Sequence, residues 1–295
     1  MSTSQDPAPP HDDAKISLVV ATLGRRIELD RLLDSLTRQT LPPHQVIIVD
    51  QNPFGWLDDL LAAYADRIPL LHLHSAKGAS LGRNTGLACV TGNLVGFPDD
   101  DCWLQPDLIA RIVAHFGARP GLAAACIPLS DETGQPIMLR WPANTTPITR
   151  ANVWQTCLMA GLFARKSAFA LTGTFDEQLG VGAATGLFSG EETDLLLRFL
   201  AKNLAAEFTP IKGLHHPPRP PIAALTPRAS GYGRGFGYVW TRHRLSVAGF
   251  YYFCLRALGG QLFALLKGDR GAASFYAASL TGRLAGRRLA LQQRA

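Results

Sequence analysis

Three consecutive carboxylates, Asp99-Asp100-Asp101, follow directly on the apolar run Leu94-Val95-Gly96-Phe97 and precede Cys102-Trp103. Adjacent acids repel one another, so the stretch calls for a cation. In an extended segment alternate residues face the same way, which turns Asp99 and Asp101 toward one site and Asp100 aside. Hard oxygen ligands of this kind suit Mg²⁺ or Mn²⁺ carrying phosphate rather than zinc. The plainer alternative is an acidic turn ahead of a helix opening at Pro106-Asp107. It leaves unexplained the apolar strand that feeds the acids.

A second acidic pair, Glu191-Glu192, stands where a Gly-rich loop from Gly180 to Gly190 gives way to Leu195, Leu196, Phe199 and Leu200 at helical spacing. A carboxylate there can serve as the general base toward a hydroxyl. The structural alternative is a capping box, Ser189-x-x-Glu192, with Asp194 and Arg198 as an i,i+4 ion pair. Asp50 ends the run Gln45 to Val49 and either accepts hydrogen bonds from a base or ribose or forms an Asx-turn with Asn52-Pro53. Arg83-Asn84 lies in the first turns of a helix behind Lys77-Gly78-Ala79, a setting that attracts phosphate. Gly82 and Gly86 beside it equally serve close packing. His215-His216 precedes Pro217 in an extended segment, so the two rings point apart and one of them faces the site, as a metal or phosphate contact.

These residues need elements to hold them. Ile16 to Thr22 reads as a strand, the turn Leu23-Gly24-Arg25-Arg26 follows, and Leu29, Leu32, Leu33 and Leu36 mark a helix. Strands at Gln45 to Val49, Leu70 to His74 and Leu94 to Phe97 alternate with helices over Trp56 to Tyr64, from a Ser80 cap through Val90, and around Leu108 to Phe116. Such alternation predicts an α/β fold with a mostly parallel, doubly wound sheet, whose strand ends deliver ligands to one crevice. Further strands are expected at Ala123 to Leu129 and Gly161 to Lys166, and an apolar tail runs from Leu245 to Leu266.

The 295 residues carry a net charge of +6. After Glu207 the only acid is Asp269 among many Arg and Lys. That basic end favours a phosphate-rich substrate or an anionic membrane surface over nucleic acid, for which no recognised motif is present. The tail is apolar enough to span a bilayer, but its flanking arginines and clustered aromatics fit a helix lying in the interface better, and a soluble packing helix remains the third reading. Residues 1–14 read as a disordered lead-in without an apolar signal region. The scattered Cys89, Cys102, Cys126, Cys157 and Cys254 read as reduced thiols in a cytoplasmic setting.

Taken in order, VVATLGRR, VIIVDQN, GASLGRNTGL, FPDDDCW and SGEETDLLLR followed by HHPP resemble the family 2 glycosyltransferases of the GT-A fold, bacterial cell-surface polysaccharide enzymes in particular, from about Ile16 to Pro217. The resemblance implies a GT-A domain over residues 15–220 and a basic, apolar C-terminal extension over 221–295. It also implies an inverting hexosyltransferase that moves a sugar from a nucleotide-diphosphate sugar to a glycan or lipid-linked acceptor at the inner face of the cell membrane. Thr22 and Asp50 would line the nucleotide pocket, with Arg83 and Asn84 against the nucleotide. Asp99 and Asp100 would sit at the donor, and Asp101, with His216, at the Mg²⁺ or Mn²⁺ that the DxD pattern of Asp99 to Asp101 binds. Glu192 would be the catalytic base, although Glu191-Glu192 replaces the usual Glu-Asp and leaves Glu191 as its competitor. A nucleotidyltransferase of similar fold and a non-catalytic, membrane-associated nucleotide-sugar-binding protein are the rival readings.

Overall fold

The computed structural model describes residues 14–218 and 220–294, so all but Ala14 of the expected lead-in lies outside the described residues. The chain opens with β1 (Ile16–Thr22), α1 (Arg26–Thr37), β2 (Gln45–Asp50), α2 (Asp58–Ala62), β3 (Leu70–His74), α3 (Ala79–Ala88) and β4 (Leu94–Gly96). β5 (Trp103–Leu104), α4 (Leu108–Gly117), β6 (Leu122–Cys126), β7 (Leu129–Ser130) and β8 (Thr146–Pro147) follow. Next come α5 (Val153–Thr156), β9 (Leu162–Arg165), α6 (Lys166–Thr172), α7 (Glu191–Ala201), β10 (Ala205–Phe208) and β11 (Leu214–His215). Three helices end the chain: α8 (Thr226–Arg242), α9 (Val247–Leu266) and α10 (Arg270–Gln292).

The main sheet has the order β3-β2-β1-β4-β9-β6-β10-β8. β1 pairs in parallel with β2 and β4, β2 with β3, and β6 with β10, while β9 runs antiparallel between β4 and β6. Both faces of β1 are buried, which is why its sequence, Ser17 and Thr22 apart, is apolar rather than alternating. Ile16, Leu18 and Val20 pack with Leu29, Leu32, Leu33 and Leu36 of α1 on one face. Val19 packs on the other face, in the cluster that also holds Leu195, Leu196 and Phe199 of α7. The same cluster continues through Phe236, Val239 and Trp240 of α8 and Phe250 of α9, so the C-terminal helices share the core of the sheet.

Several local expectations change. The strand expected over Ala123 to Leu129 divides into β6 and β7, and β7 joins β5 and β11 in a small separate sheet. Ser80 does not cap α3: Gly78 is its N-cap, and the Ser80 hydroxyl donates to the Leu179 carbonyl at 2.6 Å. A Cβ at Gly86 would lie 2.4 Å from Val19 Cγ1, so this glycine lets α3 settle onto β1. Cys126 and Cys157 are joined in a disulfide, a correction to the expectation of reduced thiols throughout. They lie far apart in sequence, and folding β6 beside the end of α5 brings their Cα atoms within 5.3 Å. Cys89, Cys102 and Cys254 are free.

Candidate active site at the carboxyl edge of the sheet

β1 and β2 end together, with Thr22 opposite Asp50 in register, and both residues are buried. Asp50 does form the Asx-turn: its Oδ1 accepts from the Asn52 backbone N–H at 2.8 Å and from Asn52 Nδ2 at 2.7 Å. Its Oδ2 lies 3.3 Å from His72 Nε2 on the neighbouring strand. The carboxylate is thereby fixed at the floor of the crevice beyond the strand ends.

The three acids stand in a turn, closed by the Cys102 N–H donating to the Asp99 carbonyl at 3.0 Å, and not in the extended segment expected. Asp99, Asp101 and His216 offer ligand atoms within 4.8 Å of one another, and Asp100 stands outside that group. Asp101 Oδ1 lies 3.3 Å from His216 Nε2, yet it is buried and has no hydrogen-bond partner. A buried carboxylate oxygen without a partner is costly, and a cation would satisfy it. Two carboxylates and an imidazole suit Mn²⁺ at least as well as Mg²⁺, because nitrogen ligands favour the later metal. The neighbouring histidine faces away: His215 Nδ1 lies 2.8 Å from the Asp131 carbonyl, and its ring stacks on Trp103. His215 ends β11 and His216 follows it, and consecutive side chains of an extended chain point to opposite faces.

Arg25 is the residue that sequence reasoning passed over as part of a turn. Its Nη1 lies 2.7 Å from Asp100 Oδ1 and 2.5 Å from Asp101 Oδ2. Burial pushes the Asp100 carboxyl up to about 6, and Arg25 opposes part of that rise. Burial likewise raises Asp101, with His216 and Arg25 pulling it back. The signal was available: a basic residue immediately after the first strand lies at the edge where the acids also end.

Arg83 connects the two acidic motifs. It is 8% exposed, and its Nη2 bonds Asp99 Oδ1 at 3.1 Å while its Nη1 bonds Glu191 Oε1 at 3.2 Å. Asn84, the next residue on α3, points elsewhere. Its amide donates to the Phe175 carbonyl and Glu177 Oε1 and accepts from the Phe175 N–H, which fastens α3 to the start of the Gly-rich loop. The expected capping box is absent, because Ser189 donates to the Tyr232 carbonyl and the N-cap of α7 is Gly190 in the left-handed region at φ 94°. A Cβ at Gly190 would also meet Val239 at 3.0 Å. The turn therefore depends on glycine, and it aims both glutamates into the crevice.

Glu191 and Glu192 then differ in environment. Glu191 carries the ion pair to Arg83, whereas Glu192 forms no salt bridge among the described residues. Burial, followed by repulsion from Glu191, pushes the Glu192 carboxyl up to about 8. One turn on, Asp194 accepts from Arg198 Nε at 2.9 Å, the expected ion pair, and lies 2.7 Å from His243 Nε2 of the segment after α8. Burial pushes this acid up, but His243 and Arg198 outweigh it and hold the carboxyl below its ordinary value. Asp194 thus locks α7 to the C-terminal helices.

A mostly parallel sheet that gathers acids, arginines and a histidine beyond its strand ends defines an α/β protein with a ligand crevice at the switch of strand order. The sequence pattern of glycosyl transferase family 2 matches residues 17–167, and the chain belongs to that family. It is 27% identical over 302 aligned positions to the pre-mycofactocin glycosyltransferase of Mycobacterium tuberculosis, an alignment that covers 96% of this chain and 60% of that protein. The glycosyltransferase AglE of Haloferax volcanii is 22% identical over 84% of this chain and 81% of its own length. The fold is GT-A. Residues 1–349 of TarS from S. aureus superpose with a TM-score of 0.59 at 14% identity, covering 93% of this chain and 91% of that one. The same part of TarS in complex with UDP-GlcNAc also gives 0.59, over 95% and 92%.

Proposed function

We propose that the protein is an inverting, metal-dependent glycosyltransferase that moves a sugar from a nucleotide-diphosphate sugar to a hydroxyl of a glycan or lipid-linked acceptor in cell-surface polysaccharide synthesis. The observation that carries this reading is the Arg83 bridge, which holds Asp99 and Glu191 in one site although they lie on separate elements. TarS, whose fold this chain shares, is known in complex with UDP-GlcNAc, which supports a nucleotide-sugar donor.

In this reading Thr22 and Asp50 line the nucleotide end of the crevice, and Arg83 approaches the donor's phosphates. Asp99, Asp101 and His216 hold Mn²⁺ or Mg²⁺, while Asp100 stays with Arg25. When bound, the cation neutralises charge on the departing diphosphate. Glu192 takes the proton from the acceptor hydroxyl as that oxygen attacks the anomeric carbon from the face opposite the leaving group. One displacement breaks the bond to the diphosphate, forms the new glycosidic bond and inverts the centre. Glu191 acts on Glu192 through its charge and on the donor side through Arg83.

α9 is long and apolar enough to cross a membrane. Only one side of it packs, through Phe250, Cys254, Ala257 and Ala264. Tyr251, Tyr252, Leu255, Leu262, Phe263 and Leu266 are exposed, next to Lys267 and Arg270. Because α8 and α10 already flank it, we assign α9 to the surface of an anionic bilayer at the cytoplasmic face rather than to a span.

The test is metal-dependent hydrolysis of a panel of nucleotide sugars without acceptor. Release of one nucleoside diphosphate that needs Mn²⁺ or Mg²⁺ and is lost in Asp101→Asn supports the reading. A chain that neither hydrolyses nor binds any donor in the presence of metal overturns it and leaves the non-catalytic rival.

A further inference from the structure

A second cavity, of about 540 Å³, lies among α8, α9 and α10 and the loop that leads into α7. Trp154, Tyr232, Phe236 and Tyr276 supply an aromatic lining, and Arg256 and Arg283 supply its charge. Ser189 also lines it, one residue before the N-cap of the helix that carries Glu191 and Glu192. The cavity therefore reaches the segment that leads into α7.

Its polar groups are unbalanced. Trp154 Nε1 and Arg283 Nε are buried N–H donors without an acceptor. The rest of the Arg283 guanidinium lies over the Phe236 ring, with Cζ 4.9 Å from the centroid, and donates through Nη1 to the Phe253 carbonyl. Arg256 rests on Tyr252, and neither arginine forms a salt bridge among the described residues. Nor does any carboxylate line the cavity. Beyond Glu207 the only acid is Asp269, whose Oδ1 caps α10 by accepting from the Ala272 N–H. Burial, reinforced by the like charge of Arg256, holds the Arg283 guanidinium below its ordinary value.

Buried cations and buried N–H groups ordinarily have partners, because leaving them unpaired costs about 1–3 kcal/mol for each neutral donor and more for a charge. Arg256 and Arg283 bring two positive charges to a lining that contains no acid, so the charge of the cavity is left for an anionic ligand to balance. The aromatic walls call for an apolar or aromatic body behind that anion.

We propose that this cavity binds an organic oxyanion, a carboxylate or phosphate ester on an apolar or aromatic body, and that under the transferase reading this anion is the acidic group of the acceptor. Only the word acceptor rests on that reading. Oxyanion binding stands on the two arginines of an acid-free lining alone.

The experiment measures binding to the full chain by titration calorimetry with EDTA present, which keeps the acidic cluster from recruiting phosphate through a cation. The probes are phenyl phosphate, benzoate, inorganic phosphate and uncharged benzyl alcohol. Phenyl phosphate or benzoate should bind one to one and at least about tenfold more tightly than inorganic phosphate, with benzyl alcohol silent. Arg283→Met should weaken the bound probe at least about tenfold, and so should Arg256→Met, whose exposed position keeps it clear of folding defects. Unchanged affinity in both variants overturns the proposal. Arg-dependent binding confined to phosphatidylglycerol vesicles, with phosphatidylcholine vesicles as the control, would keep the oxyanion site and overturn its assignment to the acceptor, because the anion would then be a lipid headgroup. If phenyl phosphate binds through Arg283 while no nucleotide sugar is hydrolysed, the pocket stands and the transferase reading falls.

Discussion

The acidic site at the sheet edge and the cavity among the C-terminal helices are built on opposite principles. At the sheet edge the acids have partners within the chain: Arg25 meets Asp100 and Asp101, Arg83 meets Asp99 and Glu191, and His216 lies by Asp101. Among the C-terminal helices Arg256 and Arg283 meet rings and carbonyls but no carboxylate. A compensated site is held in shape before its ligand arrives, and the ligand must compete with pairs already made. An uncompensated site is incomplete until a ligand of opposite charge enters. Within the first site one group breaks the pattern, for Glu192 is left without a cation and holds its proton up to about 8.

That exception gives the largest predicted effect. Glu192→Gln should retain donor affinity and lose about 10²–10⁴-fold in kcat, the range expected when a positioned base is removed. Glycosyl transfer and nucleotide binding measured on the same preparation check it, and near wild-type turnover would move the base to Glu191. Asp101→Asn should weaken metal-dependent donor binding at least about tenfold, since it removes one of three ligands. Titration of the nucleotide with and without Mn²⁺ reads that loss, and equal affinities would detach the acidic cluster from the metal.

The pH profile sharpens the contrast between Glu192 and the paired acids. A base must be deprotonated to act, so kcat should climb about tenfold per pH unit toward a plateau reached near the raised value of Glu192. A bound cation favours the charged form, so saturating Mn²⁺ should shift that limb to lower pH. A flat profile down to pH 5 would remove Glu192 from the role of base. The smallest effect is on stability. Arg25→Met leaves Asp100 and Asp101 without their guanidinium, but the Arg25 side chain is 41% exposed and solvent screens the pair. The expected loss in urea unfolding is therefore only about 1 kcal/mol. Mn²⁺ should recover more of it in the variant than in the wild type, and an unchanged midpoint would show that the pairs add nothing.

Much of this was legible in the residues, for reasons that can be named. Strands buried on both faces are written as largely apolar runs, so β1 and β2 stand out in the sequence, and helices laid on a sheet repeat their leucines every three or four positions, as α1 does. The mostly parallel sheet and the acids at its edge followed from those two periods. Expectations failed where a local pattern had a rival partner from elsewhere in the chain. Ser189 and Ser80 look like caps, yet Tyr232 and Leu179 carbonyls take their hydroxyls. Arg25 looks like part of a turn, and Asn84 like a neighbour of Arg83 in function. The fold gives Arg25 to the acids and Asn84 to the Phe175 loop.

The sequence by itself determined which residues could be charged and which runs had to be buried. Only the tertiary structure decided which charges meet. Pairing depends on distances of a few ångströms between residues tens of positions apart, and packing of the sheet and helices sets those distances. Arg83 reaches Glu191, Cys126 meets Cys157, and Arg283 faces an aromatic pocket without an acid in its lining because of where β9, α7 and α10 come to rest. No spacing along the chain encodes that outcome.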